Sequence, residues 1–266
     1  MFYFLYVASA LPFPRPVNTS NEWMKVTQMF EEVLMCNYTD LSIPALVDNV
    51  LYASYKSHIL NTNGQCLKVG SFSEKCVNSI TKICQQKKLR VLKTVRTAME
   101  EIWMLLSRGH IPISQLKVIH LMRDPRGQFK SLMKSAEINK EGAKAYCKKL
   151  CDRAVKDVLI REKIRKYYPS NIMSVQYESV AENPIKAANQ IYQFIQGTDA
   201  PLEVQTWLKQ STHSSEVKEE QYGTVRRDSM ATAQAWRKAL DTDVVRDIDS
   251  VCSNYYKLSG FYTALE

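Results

Sequence analysis

With 266 residues, 45% of them apolar, the chain can bury one large core, and it carries no internal repeat, low-complexity tract or long Gly/Ser/Pro linker. That excludes a solenoid or a string of linked domains; the Pro12–Pro16 patch lies too near the start to separate two. A formal charge of +9, 36 basic against 27 acidic residues, leaves anionic partners open.

The chain starts with an apolar run over residues 1–12, in which Phe2–Ala8 reads as an aromatic-rich core strand. Ala8-Ser-Ala10 also resembles a small-x-small cleavage site, but no basic segment precedes the run. The run is far short of the roughly 20 residues needed to cross a bilayer, so no transmembrane segment is expected. A helix is predicted at about 22–35, then an irregular cysteine-containing stretch to about 88, a strand at 89–95 and a helix at 97–107.

Val118, Ile119, Leu121 and Met122 form the short apolar run of a central parallel strand at 117–122, with His120 read as a core histidine. Pro125 suits the first turn of a helix, predicted to run to about 136. A long helix to about 167 follows, with Ala143, Cys147, Leu150, Ala154 and Val158 as its apolar stripe. From Lys140 to Lys166 there are ten basic residues against four acidic ones. These form either a solvated face or a surface for an anionic polysaccharide.

Next come a strand at 171–177, a helix at 184–196 opened by Asn183-Pro184, and a helix at 201–210. A loop carrying Thr224-Val-Arg226-Arg-Asp-Ser229 leads to a final helix at 241–258. Trp207 and Trp236 are assigned to core packing by default. Strands separated by helices imply right-handed crossovers and a parallel sheet covered on both faces, with ligand at the carboxyl ends of the strands. Arg96, Arg123 and the turn after Tyr177 all follow strands and are expected at that edge.

The most informative stretch is Lys117–Ser131, a buried strand ending in a basic turn that opens a helix. Arg123 and Arg126 flank a helix N-terminus whose N–H groups and dipole favour an anion. Arg123 can fork onto phosphate oxygens, and Ser131 can offer its hydroxyl to the same group. Arg123-Asp-Pro125 with Ser131 resembles the 3′-phosphate-binding motif of sulfotransferases, closest to the Golgi carbohydrate branch, which use 3′-phosphoadenosine 5′-phosphosulfate (PAPS) as donor. Cys84–Arg96, Ile172–Glu178, Asn183-Pro184 with Ile191–Phe194, and Thr224–Ser229 with Trp236 and Cys252–Tyr262 follow the order of the same family. The resemblance is clearest over 84–262 and treats 1–266 as a single sulfotransferase-like domain.

The resemblance implies an α/β fold of the P-loop nucleotide hydrolase-like type, a parallel sheet flanked by helices with the first strand and the P-loop missing. Phe2–Ala8 then stands for the family's second strand, and the chain is expected to be a truncated representative. Arg123, Ser131, Arg227 and Ser229 are the implied donor-binding residues; no general base is identifiable. PAPS is the implied co-substrate, with no metal. The partner is a carbohydrate acceptor, and nucleic acid is not expected. The implied compartment is the Golgi lumen, toward which the seven cysteines and the sequons at Asn18 and Asn37 also tilt. Cys147 and Cys151, one helical turn apart, suit each other poorly, and Cys252 is the expected partner of Cys151. The alternatives are a catalytically inactive relative and a basic module binding glycan or nucleic acid.

Overall fold

The computed structural model describes residues 2–8 (backbone), 20–38, 74–95, 97–135, 139–216 and 225–263. Arg96, Cys66, the Asn18 sequon, the side chains of Tyr6 and Val7 and that of Cys76 lie outside the described residues. The elements run in chain order β1 (Phe2–Ala8), α1 (Ser20–Met35), α2 (Glu74–Gln85), β2 (Leu89–Thr94), α3 (Met99–Arg108), β3 (Leu116–Met122) and α4 (Pro125–Ser135). They continue with α5 (Ala143–Tyr167), β4 (Ile172–Gln176), α6 (Tyr177–Glu182), α7 (Pro184–Gln196), α8 (Leu202–Thr212), α9 (Ser229–Gln234), α10 (Trp236–Ala239) and α11 (Thr242–Ser259). The strands form one parallel sheet in the order β2-β1-β3-β4, and helices connect each strand to the next. The path therefore changes direction at β1, and in such sheets ligands bind beyond the carboxyl ends of the strands beside that switch. β3 is such a strand.

Two compact units are present: Met1–Tyr6, Pro16–Thr94 and Glu100–Val118 in one, and Val7–Arg15, Val95–Met99 and Ile119–Glu266 in the other. In the first, α1 buries Phe30 and Leu34, α2 buries Ile80 and Cys84 one turn apart, and α3 buries Ile102, Leu105 and Leu106. The Cys36–Cys84 disulfide ties α1 to α2. Glu31 receives Arg108 Nε at 2.9 Å and lies 2.9 Å from His110 Nδ1. The α2 helix falls in a stretch expected to be irregular. A 12-residue helix is marginal by itself, and burial plus the disulfide supply what propensity does not.

The second unit is organised by α5 and α11, which pack along each other. Cys147, Leu150, Ala154 and Val158 of α5, all from the predicted stripe, join Phe129, Trp236, Ile248 and Tyr256 in one core. Cys151 bonds to Cys252, the partner expected from the sequence. Cys147 is a buried free thiol whose pKa burial pushes up to about 12, which leaves it inert. Three short helices are additions to the predicted elements: α6 begins where strand 171–177 was expected to end, and α9 and α10 follow the Arg226–Ser229 segment. Trp236 is buried as expected, whereas Trp207 is 53% exposed on α8 and is not a core residue.

Candidate functional site

The strand β3 buries Leu116, Val118, Ile119, His120 and Met122, so its register is set by apolar packing and the chain leaves it at Arg123 in a fixed place. Pro125 takes the first position of α4, where its missing N–H costs nothing. Asp124 accepts the Arg126 backbone N–H at 2.9 Å through Oδ1, so the helix start is capped by its own neighbour. Its side chain also receives Arg126 Nε at 2.9 Å and Nη2 at 2.8 Å. Arg126 Nη1 reaches Asp249 at 3.2 Å and Nη2 the Tyr262 carbonyl at 2.8 Å, while Tyr256 donates to Asp249 at 2.8 Å. The guanidinium lies 4.2 Å from the Trp236 ring centroid and 4.9 Å from that of Tyr256, and the residue is 1% exposed. The anion site expected between Arg123 and Arg126 is corrected accordingly: Arg126 is committed to two carboxylates inside the protein.

Arg123 is placed differently. Its guanidinium stacks 4.3 Å from the ring centroid of Tyr177, the first residue after β4. Its Nε is buried and has no hydrogen-bond partner among the described residues. A Cβ on Gly127 would lie 3.7 Å from that Nε and 3.3 Å from Trp236 Cδ1, so the glycine lets Arg123 and Trp236 approach the first turn of α4. Ser131 is one turn beyond Gly127 on the same helix face, and it is exposed.

Glu178 closes the arrangement. Its Oε1 accepts the Asp124 N–H at 3.0 Å, bridging the turns after β3 and β4, while Oε2 is buried without a partner among the described residues. Burial raises the Glu178 carboxyl above its ordinary pKa, the Asp124 and Glu178 backbone N–H groups and the nearby Arg123 charge opposing it. Ser229, at the start of α9, is buried and donates to the Ala181 carbonyl of α6 at 2.6 Å. Arg227 is exposed just before α9, on a segment held by paired backbone bonds from Ser214 N–H to Arg226 O (2.9 Å) and from Arg226 N–H to Ser211 O (2.7 Å).

Arg123, Tyr177 and Glu178 are thus brought together, and Ser229 is seated on the helix that bears Glu178. From the sequence, Tyr177-Glu178 reads either as an acid with a partner or, in the family order, as a brace of the sheet edge, and Gly127 has no assignment. The signal was available: both turns follow strands, and pairing of β3 with β4 sets them side by side. Lys93 is exposed on β2.

The basic helix α5 is not a continuous cationic face. Lys140 pairs with Asp241 at 2.6 Å, Lys144 with Asp247 at 3.5 Å, Lys148 with Asp152 at 2.7 Å and Arg165 with Glu162 at 3.1 Å. Arg153 and Arg161 are buried, the first donating to the Thr97 carbonyl at 2.8 Å and the second to Met122 Sδ at 2.9 Å. These partners cancel much of the field that an anionic polymer would feel. His120 is fully buried, its pKa lowered to about 3 by burial and then by Arg161 and Arg153, so it is a neutral core residue, as expected.

A profile of the sulfotransferase domain family matches residues 104–261. Carbohydrate sulfotransferase 1 of Danio rerio is 28% identical over 197 residues, 68% of this chain and 46% of that protein. Carbohydrate sulfotransferase 4 of Mus musculus is 26% identical over 200 residues, 68% of this chain and 50% of that protein. The chain spans about half the length of the curated relatives it matches. Among solved structures, the sulfotransferase domain from the Synechococcus PCC 7002 olefin synthase aligns with a TM-score of 0.46 and 14% identity, over 95% of this chain and 94% of that one. The profile covers more than half of the chain and takes in β3, the Arg123 turn, β4 and α11, and on that match the chain belongs to the sulfotransferase domain family.

Proposed function

We propose that the chain is a PAPS-dependent carbohydrate sulfotransferase domain of the Golgi lumen, a single domain over residues 1–266 that moves a sulfuryl group from PAPS to a hydroxyl of a glycan or glycosaminoglycan. The observation that carries this is Arg123: a guanidinium held on Tyr177 at a strand's carboxyl end, with a buried donor that no group among the described residues satisfies. A buried unsatisfied donor costs roughly 1–3 kcal/mol, and at a strand's carboxyl end an anionic ligand can complete it. Similarity to carbohydrate sulfotransferases over 68% of the chain supports both the donor and the acceptor class.

In this reading Arg123 forks onto the donor's 3′-phosphate and Ser131, one turn along α4, gives it a hydroxyl bond. Ser229 spends its proton on Ala181, so its contribution is to seat the segment that carries Arg227 toward the nucleotide. In-line sulfuryl transfer resembles phosphoryl transfer, in which positioning and charge stabilisation dominate. The test is calorimetry of adenosine 3′,5′-bisphosphate on the full chain. Arg123→Ala and Ser131→Ala should each weaken binding by about 1–3 kcal/mol, roughly 5- to 150-fold. A nucleotide that does not bind, or binds equally well to Arg123→Ala, overturns the proposal.

A further inference from the structure

Two side chains of opposite sign lie at the turn after β3, and among the described residues each keeps one buried polar atom without a partner: Arg123 Nε and Glu178 Oε2. Glu178 is fixed there by the Asp124 N–H on its other oxygen. The groups acting on its carboxyl are Arg123 and Asp124 from the β3–α4 turn and the Tyr255 hydroxyl from α11. Of the helices packed on α6, α9 meets it through uncharged Ser229 on the Ala181 carbonyl, and α7 follows it through the Asn183-Pro184 turn. Arg123 therefore adds its charge to the Asp124 and Glu178 backbone N–H groups in favouring the ionised form of the Glu178 carboxyl, against its burial.

We propose that Glu178 is a positioning residue that couples anion binding at Arg123 to uptake of a proton. This rests on the reading of Arg123 as the anion site. With the site empty, the guanidinium offsets the charge of Glu178. A phosphate arriving on Arg123 neutralises that guanidinium and brings negative charge of its own within a few ångströms of a largely desolvated carboxylate. The carboxylate then takes one proton from solvent and becomes a neutral acid. Its carbonyl oxygen keeps the Asp124 N–H, so the turn stays in place, and no bond beyond that O–H forms or breaks. Burial already raises the carboxyl pKa in the free protein, and the arriving negative charge shifts it further in the same direction.

The sign follows from linkage. Bound protein holds more protons than free protein between the free and bound pKa values, so affinity is greatest below that window and falls as pH rises through it, by up to about tenfold per pH unit. Calorimetry of adenosine 3′,5′-bisphosphate, from about pH 5 to about pH 7 in buffers of different ionisation enthalpy, counts protons on binding. The nucleotide's own phosphate protons are common to every variant and cancel in the difference.

Wild type should take up more protons than Glu178→Gln, by an amount approaching one in the window, and Glu178→Gln should lose the added pH dependence while still binding. A purely structural brace predicts equal proton counts in the two proteins. If Glu178→Gln does not fold, 13C-carboxyl NMR of the wild-type chain reads the same proton. A glutamate resonance whose titration midpoint rises on adding nucleotide supports the coupling, and no moving resonance overturns it. Binding that depends on Arg123 without a Glu178-dependent proton overturns this inference alone; binding indifferent to Arg123→Ala overturns the site itself.

Discussion

Arg123 and Arg126 leave the same turn three residues apart and meet opposite surroundings. Arg126 is enclosed by Asp124, Asp249, the Tyr262 carbonyl and the rings of Trp236 and Tyr256, with its hydrogen bonds made within the protein. Arg123 rests on one ring and keeps a buried Nε unpaired. A guanidinium of the first kind orders the fold; one of the second kind is, in the proposed function, the one that takes a ligand. Residue type does not separate the two cases, whereas the inventory of partners does.

The largest effect should come from breaking the enclosed side. Arg126→Ala leaves Asp124 and Asp249 buried without their cation and should destabilise the protein by about 3–5 kcal/mol in urea or thermal unfolding. Arg123→Ala should change stability by no more than about 1 kcal/mol, because its partners are a ring and a nearby carboxylate rather than a closed network. Comparable losses in the two variants would erase the distinction. Next in size is the Cys151–Cys252 bridge, which holds α11, and so Asp249, against α5. Replacing both cysteines with alanine should cost about 2–4 kcal/mol in unfolding experiments, yet leave nucleotide affinity well below the melting temperature within roughly twofold. A large affinity loss would mean that the Arg123 side depends on the enclosed side.

At neutral pH the smallest effect is that of His120, and it grows on acidification. His120 has a folded pKa of about 3 against 6.5 unfolded, so below pH 6.5 the unfolded chain binds a proton that the folded one refuses. Stability falls on acidification through that interval by about 1.4 kcal/mol per pH unit from this group. In His120→Asn the acid limb of a stability-against-pH curve should be shallower by that slope. Equal slopes would show that His120 is charged in the folded protein.

Long, periodic or bounded elements were legible without coordinates. Strand β3, the start of α4 at Pro125, the stripe of α5 and the Asn183-Pro184 entry to α7 fall where apolar spacing and proline chemistry put them. Short helices were not. At six, six and four residues, α6, α9 and α10 lie far below the length at which propensity alone sustains a helix, and each depends on packing. Trp207 shows the same limit from the other direction: an aromatic residue in an amphipathic pattern is apolar, but its neighbours decide whether it is covered.

From the order of residues alone came the alternation of strands and helices, the basic turn at Arg123 and the resemblance to sulfotransferases, because each depends on spacing within a few turns of chain. Which arginine is enclosed by protein partners was decided only in three dimensions. Asp249, Trp236 and Tyr256 reach Arg126, and Tyr177 and Glu178 reach Arg123, across more than fifty residues of sequence. Local chemistry had set the two cations side by side as equals, and long-range packing assigned one to the interior and left the other a donor to spare.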